Sequence, residues 1–198
     1  MSYKWIPNFL TSSRIFLVPI FLYFLFSEFS HAKFFALIIF IIASITDALD
    51  GRIARKHNVV SNFGIFLDPL ADKILTLSAF YAFMFIPTLS TAVKLWMIIL
   101  ISFRDILVTT LRTILQYRGI TMITSKLGKI KTALQLGTIH LILVSLIIQS
   151  YSITLPIDIV YNKSLYFLMV ITSIITFYTG VHYFCYNYKT LENLIFKK

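Results

Sequence analysis

Carboxylates are scarce in this 198-residue chain, and four of its eight acidic residues fall in one short stretch, at Asp47, Asp50, Asp68 and Asp72. On helices, spacings of three and four residues place each pair on one face. If the two helix ends are neighbours, the four charges converge, which is unfavourable unless cations neutralise them. Oxygen ligands favour Mg²⁺, Mn²⁺ or Ca²⁺ over zinc or copper. The stretch therefore predicts a divalent-metal site.

Each pair of aspartates also has a structural explanation. Asp68 precedes a proline and could be a helix N-cap, with the proline at the first helical position. The first pair could form ion pairs with Arg52 and Arg55. These alternatives account for single residues. A helix cap needs one carboxylate and not a pair, so the occurrence of two pairs favours a metal site.

The segment between the two pairs combines small residues with an arginine. Gly51, Ala54 and Gly64 would let a ligand or a neighbouring backbone approach closely. Arg55 lies one helical turn beyond Gly51, from where its guanidinium can reach a phosphate. Carboxylates, small residues and an arginine together suit a metal-bound diphosphate.

The same segment resembles the signature of the CDP-alcohol phosphatidyltransferases. All eight signature positions match, at Asp47, Asp50, Gly51, Ala54, Arg55, Gly64, Asp68 and Asp72. The resemblance implies a reaction in which a phosphatidyl group passes from CDP-diacylglycerol to a small alcohol. The metal expected in such an enzyme is Mg²⁺, with Mn²⁺ as the alternative.

The resemblance also implies roles for individual residues. Metal ligands are implied at Asp47, Asp50, Asp68 and Asp72. Asp72 would in addition be the catalytic general base, taking the proton of the attacking hydroxyl. Contacts to the CDP moiety are implied at Gly51, Arg55 and Ser61.

A second polar group predicts how the acceptor is bound. It consists of cationic residues in or near apolar segments, at Arg104, Arg112, Lys129 and Lys131. Ionisable residues in such segments usually mark function, and we expect these four to bind a phosphate on the acceptor. Arg104 could instead pair with a neighbouring acid, and the lysines could be membrane anchors.

The regions around these cations, and the stretch from Ile6 to Arg14, resemble bacterial family members that use glycerol 3-phosphate as acceptor. The nearest rival within the family is a cardiolipin synthase, which uses phosphatidylglycerol. A rival from another class is a cation transporter, but transporters place their carboxylates near the membrane midplane, whereas these fall at the ends of apolar segments.

The elements that must position these residues are apolar. Hydrophobic residues make up 58% of the chain, charged residues 13%, and the mean hydropathy is +0.84. Six apolar runs occur at 15–26, 34–48, 74–86, 95–115, 133–149 and 165–183. Only helices or closed barrels satisfy their backbone in lipid, and the runs lack barrel alternation. We therefore predict an all-α membrane protein, with six transmembrane helices in one bundle over residues 1–198. A short N-terminal interfacial segment would precede the first helix.

The distribution of charge predicts the orientation and the partners. Six spans place both termini on one side, and Lys33, Lys94 and Lys163 are the only basic residues predicted at the opposite ends. By the positive-inside rule, the termini and the active site face the cytoplasm, as in a multi-pass protein of a bacterial-type inner membrane. The formal charge of +10 suits anionic lipid headgroups and phosphorylated substrates better than nucleic acid. A homodimer is implied by the family resemblance alone.

Overall fold

The fold is formed by helices. The computed structural model describes residues 5–57, 62–117, 126–151 and 158–188, with side chains for 13–46, 73–116, 127–151 and 162–188. Within those ranges there are no strands. The helices are α1 (Trp5–Phe26), α2 (Ala32–His57), α3 (Asn62–Met84), α4 (Leu95–Tyr117), α5 (Lys126–Ser150) and α6 (Asp158–Tyr186). One short 3₁₀ turn, Pro87–Leu89, follows α3.

Each apolar run of the sequence coincides with one helix, so the predicted all-α class is confirmed. Only the third run extends past its helix, because α3 ends at Met84 and the chain turns at Pro87. A proline at the start of a helical turn lacks the N–H group that would continue the preceding helix. The residues around Pro7, predicted as an interfacial segment, form the first turns of a continuous α1.

The helices differ in how well they match the length of a bilayer. Two described segments, Leu127–Ser150 and Asn162–Tyr186, are long and apolar enough to cross a membrane. Ser13–Phe26, Ala32–Thr46 and Lys73–Met84 are shorter apolar helices. Large apolar side chains also lie on the outer surface, including Phe16 and Phe167 at 71% and 62% exposure. Lipid is the solvent in which such an outer surface is stable.

The core lies where α1 packs against α2 and α3. Phe21 of α1 and Phe40 of α2 are both fully buried, and their ring centroids are 5.6 Å apart. Ala36 and Ala43 of α2 are fully buried as well, and such small residues allow helices to approach closely. This packing fixes the relative positions of α2 and α3. These helices carry the aspartate motif, the name used below for Asp47, Asp50, Asp68 and Asp72.

A second contact joins α5 to α6 through polar side chains. The Gln135 amide donates to the Thr176 hydroxyl at 3.3 Å, and the Thr138 and Thr172 hydroxyls are 2.8 Å apart. All four side chains are buried. Polar contacts of this kind join helices to one another in an apolar environment. They position α6 beside the helices that carry the predicted acceptor residues.

The division of α1 into a packed face and an exposed face can be tested with two phenylalanines. Phe21→Ala should lower the free energy of unfolding by about 3–5 kcal/mol, because it opens a cavity in the core. Phe16→Ala, on the exposed face of the same helix, is the matched control and should have little effect. Equilibrium unfolding in detergent micelles measures both, and equal losses would contradict the packing of α1.

Candidate active site

The aspartate motif occupies the C-terminal part of α2 and the N-terminal half of α3. The backbones of Asp47 and Asp50 belong to α2, and those of Asp68 and Asp72 belong to α3. The side chains of residues 47–72, and the whole of Ser61, lie outside the part of the chain that the structure describes. The contacts expected of the aspartates, and of Gly51, Arg55 and Ser61 with CDP, therefore stay predictions.

The described side chains contain a buried cluster of charges centred on Asp105 of α4. The Lys131 ammonium of α5 lies 2.6 Å from Asp105 Oδ1 and donates to Oδ2 at 2.8 Å. Arg104 Nη1 lies 3.3 Å from Oδ1, and Lys73 Nζ of α3 lies 3.6 Å from Oδ2. One carboxylate thus holds cations from three helices. We call these four residues the Asp105 cluster.

Burial makes the Asp105 cluster unusual. The Asp105 side chain is fully buried, Lys131 is 1% exposed, and the Arg104 and Lys73 side chains are 10% and 15% exposed. Charged residues are almost never fully buried unless they are paired, because the loss of hydration is costly. Here the compensation comes from three basic side chains that face one buried carboxylate.

The Asp105 cluster lies next to the aspartate motif along the chain. Lys73 directly follows Asp72 in α3, and the Cα atoms of consecutive residues are about 3.8 Å apart. The ion pair between Lys73 and Asp105 therefore brings α4 and α5 close to the backbone of Asp72. Two predicted acceptor residues, Arg104 and Lys131, therefore lie near the backbone of one residue of the predicted donor motif.

The structure brings two of the four predicted acceptor residues together. Arg104 and Lys131 share the Asp105 carboxylate. Arg112 is exposed, and its Cζ atom lies 5.7 Å from the centroid of the Tyr183 ring in α6, a cation–π geometry. It is close enough to Arg104 for their charges to interact. Lys129 is exposed and lies on the other side of α5 from Lys131, because two helical residues are separated by about 200°.

Two members of the Asp105 cluster were absent from the site predicted by the sequence. Asp105 was recognisable as one of eight acidic residues, placed in an apolar helix. Lys73 gave no such signal, because a lysine beside an aspartate is common in soluble and membrane proteins alike. The alternative explanation of Arg104, that it pairs with a neighbouring acid, is correct for one of its nitrogen atoms. Nη1 donates to Asp105 Oδ1.

The described side chains by themselves form no metal site. Within the ranges given above, no three His, Cys, Asp or Glu side chains come together. Asp105 is engaged by cations on both of its oxygens, which makes it a poor ligand for another cation. The region that could hold a metal is the aspartate motif, whose donor set of four carboxylates fits a hard divalent cation such as Mg²⁺.

Comparisons with known proteins agree with the resemblance seen in the sequence. Residues 4–180 match the family model described as CDP-alcohol phosphatidyltransferase. The chain is 34% identical to a Bacillus subtilis protein over 94% of this chain and 97% of the relative. It is 35% identical to a Wigglesworthia glossinidia brevipalpis protein over 90% and 92% of the two chains. Both relatives are named CDP-diacylglycerol–glycerol-3-phosphate 3-phosphatidyltransferase.

A third relative has a related name. It is a Mycobacterium tuberculosis protein called probable phosphatidylglycerophosphate synthase, 38% identical over 71% of this chain and 66% of the relative. The matches to the first two relatives cover nearly the whole of each chain.

The structural importance of the Asp105 carboxylate can be measured directly. Asp105→Asn should lower the free energy of unfolding by about 3–5 kcal/mol, because it leaves buried cations without a counter-charge. Lys129→Gln removes an exposed charge from α5 and is the control, with an expected change within about 0.5 kcal/mol. Equilibrium unfolding in detergent micelles compares the two variants. An Asp105→Asn protein as stable as the control would show that the cations do not depend on this carboxylate.

Proposed function

This chain belongs to the CDP-alcohol phosphatidyltransferase family, and from that premise we propose that it transfers the phosphatidyl group of CDP-diacylglycerol to glycerol 3-phosphate. The products are phosphatidylglycerophosphate and CMP. The observation that carries the choice of acceptor is the placement of Arg104 and Lys131 at one buried carboxylate, close to the backbone of Asp72. The names of the similar proteins support the same acceptor.

The unused donor of Arg104 suits a phosphate monoester. Arg104 and Lys131 are two basic groups at one buried carboxylate, and the buried Nε of Arg104 has no hydrogen-bond partner among the described residues. A phosphate monoester offers several acceptor oxygens and about −1.5 to −2 charge at neutral pH. The phosphodiester of phosphatidylglycerol carries a single negative charge and a bulky lipid. A buried arginine with an unused donor therefore favours the compact phosphate of glycerol 3-phosphate over the acceptor of a cardiolipin synthase.

The donor is held by the aspartate motif. Asp47, Asp50, Asp68 and Asp72 hold the divalent metal, and the CDP moiety is held at Gly51, Arg55 and Ser61. When bound, the metal neutralises negative charge on the diphosphate and on the departing CMP. An arginine fork binds phosphate oxygens with two parallel hydrogen bonds, which suits Arg55 for a diphosphate.

The residues of the chain supply orientation and one proton transfer. Arg104 and Lys131 hold the acceptor phosphate, assisted by Arg112; Lys129, which the sequence also suggested, lies on the other side of α5 and is left out of the proposed pocket. This directs the acceptor hydroxyl towards the donor. Asp72 accepts the proton of that hydroxyl as its oxygen attacks the lipid-proximal phosphorus. The bond from that phosphorus to the CMP oxygen breaks, and positioning of the two substrates accounts for much of the rate.

The reaction requires both a lipid and a soluble substrate, which determines how the protein sits in the membrane. All six helices cross the bilayer in one domain over residues 1–198, with an interfacial segment at the N-terminus. Both termini and the active site face the cytoplasm of a bacterial-type cell. Lys/Arg asymmetry supports this orientation, and a homodimer follows from the family resemblance.

A panel of acceptors tests the proposed function. Purified protein with CDP-diacylglycerol and Mg²⁺ should release CMP with glycerol 3-phosphate. It should release far less with phosphatidylglycerol, serine or inositol phosphate, since these do not match the site in both charge and shape. Chelation of the metal should reduce release to background. Turnover with phosphatidylglycerol alone would identify a cardiolipin synthase, and no CMP release with any acceptor would favour the transporter.

The role of Asp72 is tested by removal of its charge. Asp72→Asn should lower kcat by roughly 10²–10⁴-fold, the usual effect of losing a general base, with a much smaller change in the KM for CDP-diacylglycerol. Asp50→Asn, which removes a metal ligand alone, should abolish turnover. Glu28→Gln changes an exposed carboxylate outside the motif and should retain wild-type kcat. A full kcat with a raised donor KM in Asp72→Asn would place the base elsewhere.

A further inference from the structure

Gly180 of α6 lies against the side chain of Arg104. A Cβ atom built at Gly180 would lie 2.7 Å from Arg104 Cγ, and 3.7 Å from both Arg104 Cβ and Arg104 Nε. A contact of 2.7 Å between two carbon atoms is well inside their optimal separation of about 3.5–4.0 Å. The space between α6 and Arg104 therefore exists only because residue 180 has no side chain.

The atom that a Cβ at Gly180 would crowd, Arg104 Cγ, is close to the backbone of α4. Cγ is the second carbon of the Arg104 side chain, so it moves only if the side chain rotates at its first torsion. Staggered rotamers are discrete, and a rotation of that kind carries the whole guanidinium to a new direction. The absence of a side chain at Gly180 thus makes room for the Arg104 rotamer seen in the structure, and a Cβ atom there would exclude it.

At the guanidinium end of Arg104, one nitrogen atom has a hydrogen-bond partner and another has none among the described residues. Nη1 lies 3.3 Å from Asp105 Oδ1. Nε is buried and has no hydrogen-bond partner among the described residues, and the side chain as a whole is 10% exposed. A buried N–H group without an acceptor is costly, so this atom needs an acceptor oxygen from outside the described side chains.

We infer that Gly180 is a positioning residue for the acceptor phosphate: its lack of a side chain lets Arg104 adopt the rotamer from which the buried Nε–H binds a phosphate oxygen. The inference rests on the proposed function, in which Arg104 binds glycerol 3-phosphate. Asp105 holds Nη1, and Gly180 leaves the space that the carbon stem occupies.

A purely structural role would also explain a glycine here, since small residues let helices pack closely. The two roles differ in what a methyl group at position 180 would change. Loss of packing would affect the amount of folded protein and both substrates alike. Displacement of Arg104 would affect the acceptor and leave the donor unchanged.

The test is Gly180→Ala, assayed by CMP release with each substrate varied in turn. The KM for glycerol 3-phosphate should rise about tenfold, as expected for the loss of one charge-assisted hydrogen bond. The KM for CDP-diacylglycerol should stay within about twofold of the wild-type value, a change much smaller than the loss of one such hydrogen bond would cause. The matched control is Gly137→Ala in α5, where a new Cβ meets nothing within 4 Å, and both KM values should equal those of the wild type.

A double-mutant cycle shows whether Gly180 acts through Arg104. Arg104→Ala removes the Cγ atom that a Cβ at residue 180 would strike, so Gly180→Ala should cause no further rise in KM in that background. A second, independent rise would overturn the inference, as would an unchanged acceptor KM in Gly180→Ala alone. Loss of folded protein in Gly180→Ala would also overturn it, because the glycine would then serve packing.

Failure of this inference can be distinguished from failure of the proposed function. If the wild-type protein turns over glycerol 3-phosphate and Gly180→Ala has normal kinetics, only the inference is wrong. If the wild-type protein ignores glycerol 3-phosphate, the proposed function is wrong, and the inference about this phosphate is overturned with it.

Discussion

The burial of Asp105 is the constraint on which the described part of the site depends. A carboxylate with no solvent exposure must be compensated, and here the compensation comes from Lys73, Arg104 and Lys131 on three helices. These contacts join α3, α4 and α5 at one point, so the packing of the three helices depends on the same atoms as the proposed acceptor site. Replacement of the cluster by apolar residues would preserve the packing, but it would remove the cations that the proposed function assigns to the acceptor.

The same cluster explains how two substrates of different chemistry can meet. The donor is a lipid whose diphosphate lies at the membrane boundary, and the acceptor is small and soluble. Lys73 belongs to the cluster and is the chain neighbour of Asp72. One residue of α3 therefore connects the region expected to hold the donor with the cations expected to hold the acceptor. A short connection of this kind maintains the relative position of two reactants, which is a large part of catalysis by proximity.

The helical fold was predictable from the sequence, and the site was predictable in part. Long runs of apolar residues can be recognised directly from composition, and they predict helices. Arg104 and Lys131 stood out because they are charged residues in or near such runs. The pairing of Lys131 with Asp105, 26 residues away, depends on how α4 and α5 are arranged in space. The contact of Gly180 with Arg104 is harder still, since a missing side chain leaves no pattern in one sequence. The aspartate motif differs in that its spacing was evident in the sequence. The prediction of a metal site depends on that spacing, because the side chains of the motif lie outside the described residues.

The adjacency of Arg104 and Asp105 has a consequence for how the protein is made. In the proposed arrangement of six spans, helices enter the membrane in chain order, so α4 would be accommodated before Lys131 of α5 has been synthesised. A lone aspartate or arginine at the centre of an inserting helix costs about 2.5–3.5 kcal/mol. Because Arg104 is the immediate neighbour of Asp105 and contacts it, α4 would carry its own counter-ion as it enters the membrane. Lys131 would then join a pair that has already formed.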